Sequence, residues 1–216
     1  MRRALCSIGA GAHQALLGVS EPTFRAYAQR HGYELVISTT ADTSRPPAWA
    51  KVPMIRAALE THDLALWIDA DAVIVDDHED IADALEPDTQ LALVQHHRDD
   101  ELIPNTGVMV WRSGDFAREL LDRMWASTKY IDHPWWENAA LLAALGYEVP
   151  RFNRLDRIRR RRLRARRPPP GVQFLPGHWN WSYLDRAESP RIIHCLGVPV
   201  EQRLRDMQAA LAGTLR

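Results

Sequence analysis

The sequence reads as an α/β protein, a single domain over residues 1–216 with a mostly parallel central sheet flanked by helices. Three observations lead there. Short apolar runs alternate along the chain with segments of helical period, the pattern of strand–helix–strand units. The run Leu64-Ala-Leu-Trp-Ile68 has no polar interruption, as expected of a strand covered on both faces. It ends in Asp69-Ala70-Asp71, at the carboxyl end of that strand, where α/β sheets bind ligands.

The totals set bounds. At 216 residues, 46% hydrophobic and 25% charged, the composition is that of an ordinary globular enzyme. No apolar stretch approaches the roughly 20 residues of a membrane-spanning helix. Cys6 and Cys195 are the only cysteines, so no disulfide framework is indicated and a reducing compartment is favoured. Met1-Arg2-Arg3 and the small residues after it faintly resemble a secretory signal, but the apolar centre is short and coincides with a first strand. A cytoplasmic location is therefore expected.

In chain order, residues 4–8 form the first strand, ending at Ile8 and entering the turn Gly9-Ala-Gly11. Glycines there let a backbone approach a ligand closely, though Gly-x-Gly alone is a weak sign. Ser20-Glu-Pro22 is expected to begin a helix, with Ser20 as cap and Gly32 as stop. Residues 34–38 are the second strand. A helix over 49–61 carries Val52, Ile55, Ala58 and Leu59 on one side, and also Lys51. After the 64–68 strand come a short helix at 80–85, a strand at 91–94 and a polar loop at 96–101. Asn105-Thr-Gly107 is read as a turn opening a strand that runs to Trp111. Helices at 114–127 and 135–145, strands at 172–175 and 191–194, and an amphipathic helix at 199–211 complete the series.

Two hard carboxylates, Asp69 and Asp71, suit a divalent cation, Mn2+ or Mg2+, with positions left for phosphate oxygens. From the residues alone two chemistries share the pattern. One is the D-x-D of nucleotide-sugar glycosyltransferases. The other is the D-x-D-x-[T/V] of haloacid-dehalogenase-like phosphohydrolases, with Asp69 as nucleophile and Val73 closing the motif. The second also needs a later lysine and a late acidic strand end; Lys129 is the only later lysine, and Asp99-Asp100 follows histidines and arginine rather than an apolar run.

Five blocks then occur in order: Trp49-Ala-Lys51, Trp67-Ile-Asp69-Ala-Asp71-Ala, Asn105-Thr-Gly107-Val, Trp136-Glu137-Asn138 and His194-Cys-Leu-Gly197. The set resembles the GT-A-fold galactosyl-, mannosyl- and xylosyltransferases of the Golgi and their small bacterial relatives, over roughly residues 49–197. It departs from them in having no membrane anchor or stalk and in Glu137-Asn138, where an acidic-Gln pair is usual. The resemblance implies a metal-dependent transferase that moves a hexose or pentose from a nucleotide sugar, with UDP as the expected nucleotide, and retains anomeric configuration. It makes His194 the third metal ligand beside Asp69 and Asp71; by itself His194 reads as a satisfied histidine at a strand end. Together with the early turn at Ile8 and Gly9, the expected donor site comprises Lys51, Asp69, Ala70, Asp71, Gly107, His178 and Gly197. Asn105, Glu137 and Asn138 are its catalytic candidates. Read singly, Lys51 is equally a solvated helix lysine, Glu137 an exposed helix residue and His178 part of an aromatic turn.

Residues 151–167 carry ten arginines against one aspartate. Such a block is a solvated loop or a contact for phosphate, including an anionic acceptor. It lacks the interleaved aromatics of single-stranded nucleic-acid binding, so nucleic acid is not expected as a partner.

Overall fold

The computed structural model describes residues 1–41, 44–98, 101–149, 168–182 and 189–215. The arginine-rich segment 151–167 lies outside the described residues. In chain order the elements are β1 (Arg3–Ile8), α1 (Gln14–His31), β2 (Glu34–Ser38), α2 (Lys51–Thr61), β3 (Leu64–Ile68), β4 (Ala72–Ile74), β5 (Leu91–Arg98), β6 (Glu101–Arg112), α3 (Asp115–Ala126), α4 (Trp136–Ala144), β7 (Val172–Leu175), β8 (Ile192–His194) and α5 (Val200–Leu211).

Six strands form one sheet in the order β2-β1-β3-β6-β5-β7. All run parallel except β6, which is antiparallel to both of its neighbours. The apolar run of β3 has the expected cause. Leu64, Leu66 and Ile68 pack on one side with Phe24 and Tyr27 of α1, while Ala65 and Trp67 pack on the other with Ile55 of α2 and Leu120 of α3. Alternate residues of one strand thus serve two cores, and neither face tolerates a polar side chain. A second, two-stranded sheet pairs β4 antiparallel with β8, with Ala72 opposite His194.

Three expectations needed correction. Helix α1 begins at Gln14, ahead of Ser20; the Ser20 hydroxyl is buried and donates to the Leu17 carbonyl at 3.3 Å instead of capping. Pro22 sits inside the helix, where it has no N–H to give the Gly18 carbonyl, but both residues lie on the exposed side, where water can reach that carbonyl. The region read as a polar loop from His96 continues β5 as far as Arg98, and His96 and His97 pair with Ile103 and Leu102 of β6. A register shift between Leu93 and Val94 separates this arm from the main sheet, so its residues escape the apolar pattern of the core. For the same reason Asn105 lies within β6, not at its start.

Candidate active site at the end of β3

β3 stops at Ile68, and the chain reverses in a tight turn: the Ala72 N–H donates to the Asp69 carbonyl at 3.0 Å. Ala70, buried in that turn, is small enough for both flanking carboxylates to reach the same space. Antiparallel pairing of β3 with β6 brings Gly107 alongside, its carbonyl accepting from the Asp69 N–H at 2.8 Å. Pairing of β4 with β8 brings His194. Its Nε2 lies 3.2 Å from Asp71 Oδ1 and 3.8 Å from Asp69 Oδ2. One donor atom from each of the three residues falls within 4.8 Å of the others.

Each carboxylate is held by a cation from a different helix. Lys51, 3% exposed, lies at the first turn of α2. Its Nζ is 2.8 Å from Asp69 Oδ1 and 2.9 Å from Glu137 Oε1, and donates to the Thr106 carbonyl at 3.2 Å. Burial alone would lower the Lys51 pKa, but the carboxylates of Asp69 and Glu137 overcome it and hold the ammonium charged. The Trp67 indole N–H also donates to Asp69 Oδ1, at 2.7 Å, which leaves Oδ2 on the His194 side. Asp71 Oδ2 accepts from Arg203 Nη1 of α5 at 2.8 Å. Burial would raise the Asp71 carboxyl, yet His194 and Arg203 hold it below the usual carboxylate range.

Glu137 is buried, not on an exposed helix face. Its Oε1 accepts from Lys51 and from the Thr106 hydroxyl at 3.0 Å, and burial pushes its carboxyl upward against the pull of Lys51. Asn138 Oδ1 accepts from the Thr106 N–H at 3.0 Å. The Asn105 amide oxygen accepts from the Gly107 N–H at 2.8 Å and from Asn180 Nδ2 at 2.9 Å. Blocks that are far apart in sequence therefore meet around Asp69: Lys51, Asn105, Thr106, Gly107, Glu137 and Asn138 form one connected network.

The remaining candidates are more scattered. Ile8 ends β1, and a Cβ on Gly9 would stand 2.5 Å from Leu17 Cβ, so close packing of α1 already demands that glycine. Gly197 lies in a turn of positive φ after β8, with open space where a side chain would be. His178 faces a different group: burial and the Arg191 guanidinium lower its pKa, with Glu79 and Asp76 as the acidic neighbours. Sequence reasoning missed Thr106, Asn180 and Arg203. Asn180 sits beside the singled-out His178 but carries no motif, and Arg203 reads as one more polar position of an amphipathic helix.

A largely parallel sheet flanked by helices is the framework of the GT-A glycosyltransferases. Solved structures share it. A glycosyltransferase involved in glycosylation of the major capsid of PBCV-1 superposes with a TM-score of 0.70 at 13% identity, covering 96% of this chain and 99% of that one. The galactosyltransferase LgtC, in complex with donor and acceptor sugar analogs, gives 0.59 at 11% identity over 98% and 96% of the two chains. The glycosyltransferase GlyE of Streptococcus pneumoniae gives 0.56 at 13% identity, over 98% of this chain and 63% of its own. Identities this low show a shared fold. In sequence, the model of the galactosyl transferase GMA12/MNN10 family matches residues 12–103, a segment that includes Lys51, Asp69 and Asp71. No curated protein matches the chain significantly by sequence. Fold and family match together make the protein an enzyme of the glycosyltransferase class. Among the described residues no helix is long and apolar enough to cross a membrane.

Proposed function

We propose that the protein transfers a hexose or pentose from a nucleotide sugar, with UDP as the nucleotide, to an acceptor and with retention of anomeric configuration. The observation that carries this reading is the convergence of Asp69, Asp71 and His194 donor atoms within 4.8 Å. Two hard oxygen donors and one imidazole suit Mn2+ or Mg2+, and three protein ligands leave positions for diphosphate oxygens. The fit extends beyond the ligands: Lys51 and Trp67 occupy one oxygen of Asp69, and the other is turned toward His194. When bound, the ion supplies Lewis-acid stabilisation of charge on the departing nucleoside diphosphate.

The chain's own residues supply the rest. Lys51 fixes Asp69 through its contact with Oδ1, and adds positive charge close to where the diphosphate binds in this reading. Ile8, Gly9, Gly107, His178 and Gly197 are proposed to border the donor. Asn105, Glu137 and Asn138 surround the same point and are proposed to position the sugar, whose reacting carbon needs alignment more than covalent help. In same-face substitution the donor phosphate takes the acceptor proton, so no separate protein base is required. Relatedness of fold to LgtC, which holds donor and acceptor analogs in its structure, supports a two-substrate cleft. The acceptor class is left to the arginine-rich segment 151–167, where an anionic acceptor fits the charge. The phosphohydrolase alternative has no support, since the matching family model and the solved structures of like fold are glycosyltransferases.

Calorimetry with UDP and Mn2+ tests the reading. Expected is UDP binding that needs Mn2+, is lost with EDTA, and is abolished by Asp71→Ala while the protein stays folded. UDP affinity that is unchanged by EDTA would refute the metal's role.

A further inference from the structure

A chain of hydrogen bonds runs from the backbone of β6 to the ring of His194, and its direction is fixed at one end. The Gly107 N–H can only donate, so the Asn105 atom 2.8 Å away is its carbonyl oxygen. The same oxygen faces the Asn180 amide at 2.9 Å, so that atom of Asn180 must be the NH2 group. The other end of the Asn180 amide is then an acceptor, and it lies 3.0 Å from His194 Nδ1. To bond this acceptor Nδ1 must carry the ring proton, in competition with Nε2, which faces the Asp71 carboxylate at 3.2 Å. In a neutral imidazole this leaves Nε2 as a lone pair, and Nε2 is the atom that faces Asp71 and Asp69.

The amide at the centre is well held. Asn180 is 0% exposed, and its main-chain carbonyl, 2.7 Å from His96 Nε2 on the extended arm of β5, anchors the backbone that carries the amide. A reversed amide would leave buried polar groups unpaired on both sides at once, so it is strongly disfavoured. Without this relay a neutral His194 has an obvious alternative. Its proton would move to Nε2 and bond to Asp71 Oδ1, 3.2 Å away, which would consume the lone pair a cation needs.

We infer that Asn180 is a positioning residue that fixes the His194 tautomer, with Asn105 and the Gly107 N–H setting its orientation, so that the imidazole presents Nε2 to a divalent cation. The inference rests on the reading of His194 as a cation ligand, but the location of the ring proton is a property of the cation-free protein. The two are therefore separable.

Ring 15N NMR of the cation-free protein, at a pH where the imidazole is neutral, reads the tautomer directly, and calorimetry with Mn2+ alone reads the affinity. In the unsubstituted protein His194 should carry its proton on Nδ1. Asn180→Leu, close in shape but unable to accept, should move it to Nε2 and weaken Mn2+ binding ~10–100-fold, the usual cost of losing a partner behind a ligating histidine. Asn180→Asp keeps an acceptor beside Nδ1 and should retain the Nδ1 proton, although its second oxygen meets the Asn105 oxygen where the NH2 group had donated. Should Asn180→Leu fail to fold, Asn105→Ala removes the oxygen that orients the amide and should give a mixture of tautomers. An Nδ1 proton that persists unchanged in Asn180→Leu, or in Asn105→Ala if that variant stands in for it, would overturn the relay. An unsubstituted protein with the Nδ1 proton and no Mn2+ affinity would leave the relay standing and refute the ligand reading instead.

Discussion

A Cβ atom added to Gly107 would lie 2.1 Å from His194 Cε1 and 2.4 Å from its Nδ1. The glycine of Asn105-Thr-Gly107 is thus required by the imidazole that packs against it, with the Asn105 amide oxygen 2.8 Å away on the same side. Gly107→Ala should push the ring out of line with Asp69 and Asp71. We expect a loss of Mn2+ affinity of ~10-fold or more together with ~1–3 kcal/mol of stability, the usual range for overpacking. Calorimetry and urea unfolding of the same sample check the two parts, and wild-type Mn2+ affinity would show that the ring is free to relax.

Lys51 bridges Asp69 and buried Glu137. Lys51→Met leaves two carboxylates facing each other in a poorly solvated site. Breaking a buried pair in this way costs ~3–5 kcal/mol, which urea unfolding would reveal. Adding Glu137→Leu to Lys51→Met should recover part of the loss, because the uncompensated buried charge goes with it. No recovery in the double variant would mean that Glu137 is not the source of the penalty.

Arg203 fastens α5 to the site at two points, Asp71 Oδ2 at 2.8 Å and the Val198 carbonyl at 2.7 Å. Arg203→Met removes both charge-assisted bonds and keeps most of the apolar stem. In metal-free protein the expected loss is ~1–3 kcal/mol, with faster amide exchange along α5. Unchanged exchange in α5 would show that Leu204 and Met207 hold the helix without it.

Burial pushes the Cys6 thiol up to about 12, with the Glu34 carboxylate adding to the effect. Cys195 is also fully buried. Because the thiolate is the reactive species, a thiol reagent at mildly alkaline pH should modify neither residue in the folded protein. Both should react once denaturant is added. The sign is unambiguous for Cys6: its reactivity should rise only as pH approaches that raised value. Fast labelling of Cys6 in native protein would indicate that β1 opens far more readily than its burial implies.

The sequence was most legible where one physical demand acted on consecutive residues. The apolar run 64–68 announced a strand with two covered faces, and the strand stops where the carboxylates begin. Local signals were less reliable where packing overruled them. Ser20-Glu-Pro22 has the chemistry of a helix start, yet the apolar contacts of Leu16 and Leu17 draw the helix back to Gln14. His96 and His97 look like loop residues because polarity is all that a short window shows, whereas their strand is fixed by pairing with β6.

For the site, the sequence by itself determined the residue types: two carboxylates one residue apart on a strand end, an Asn-Thr-Gly block, a Glu-Asn pair and a late histidine. Which of them meet was decided by tertiary structure alone. The single antiparallel strand β6 sets Gly107 against Asp69, the β4–β8 pair sets His194 against Asp71, and α2 drives Lys51 under Asp69 instead of into solvent. Asn180 and Arg203 had no sequence signature, since an amide or a guanidinium gains its role only from the groups it faces. Those groups lie 75 and 132 residues away, at Asn105 and Asp71. Periodicity records what a residue needs from its own element; hydrogen-bond direction and charge pairing record what it needs from another, and only the folded chain brings those together.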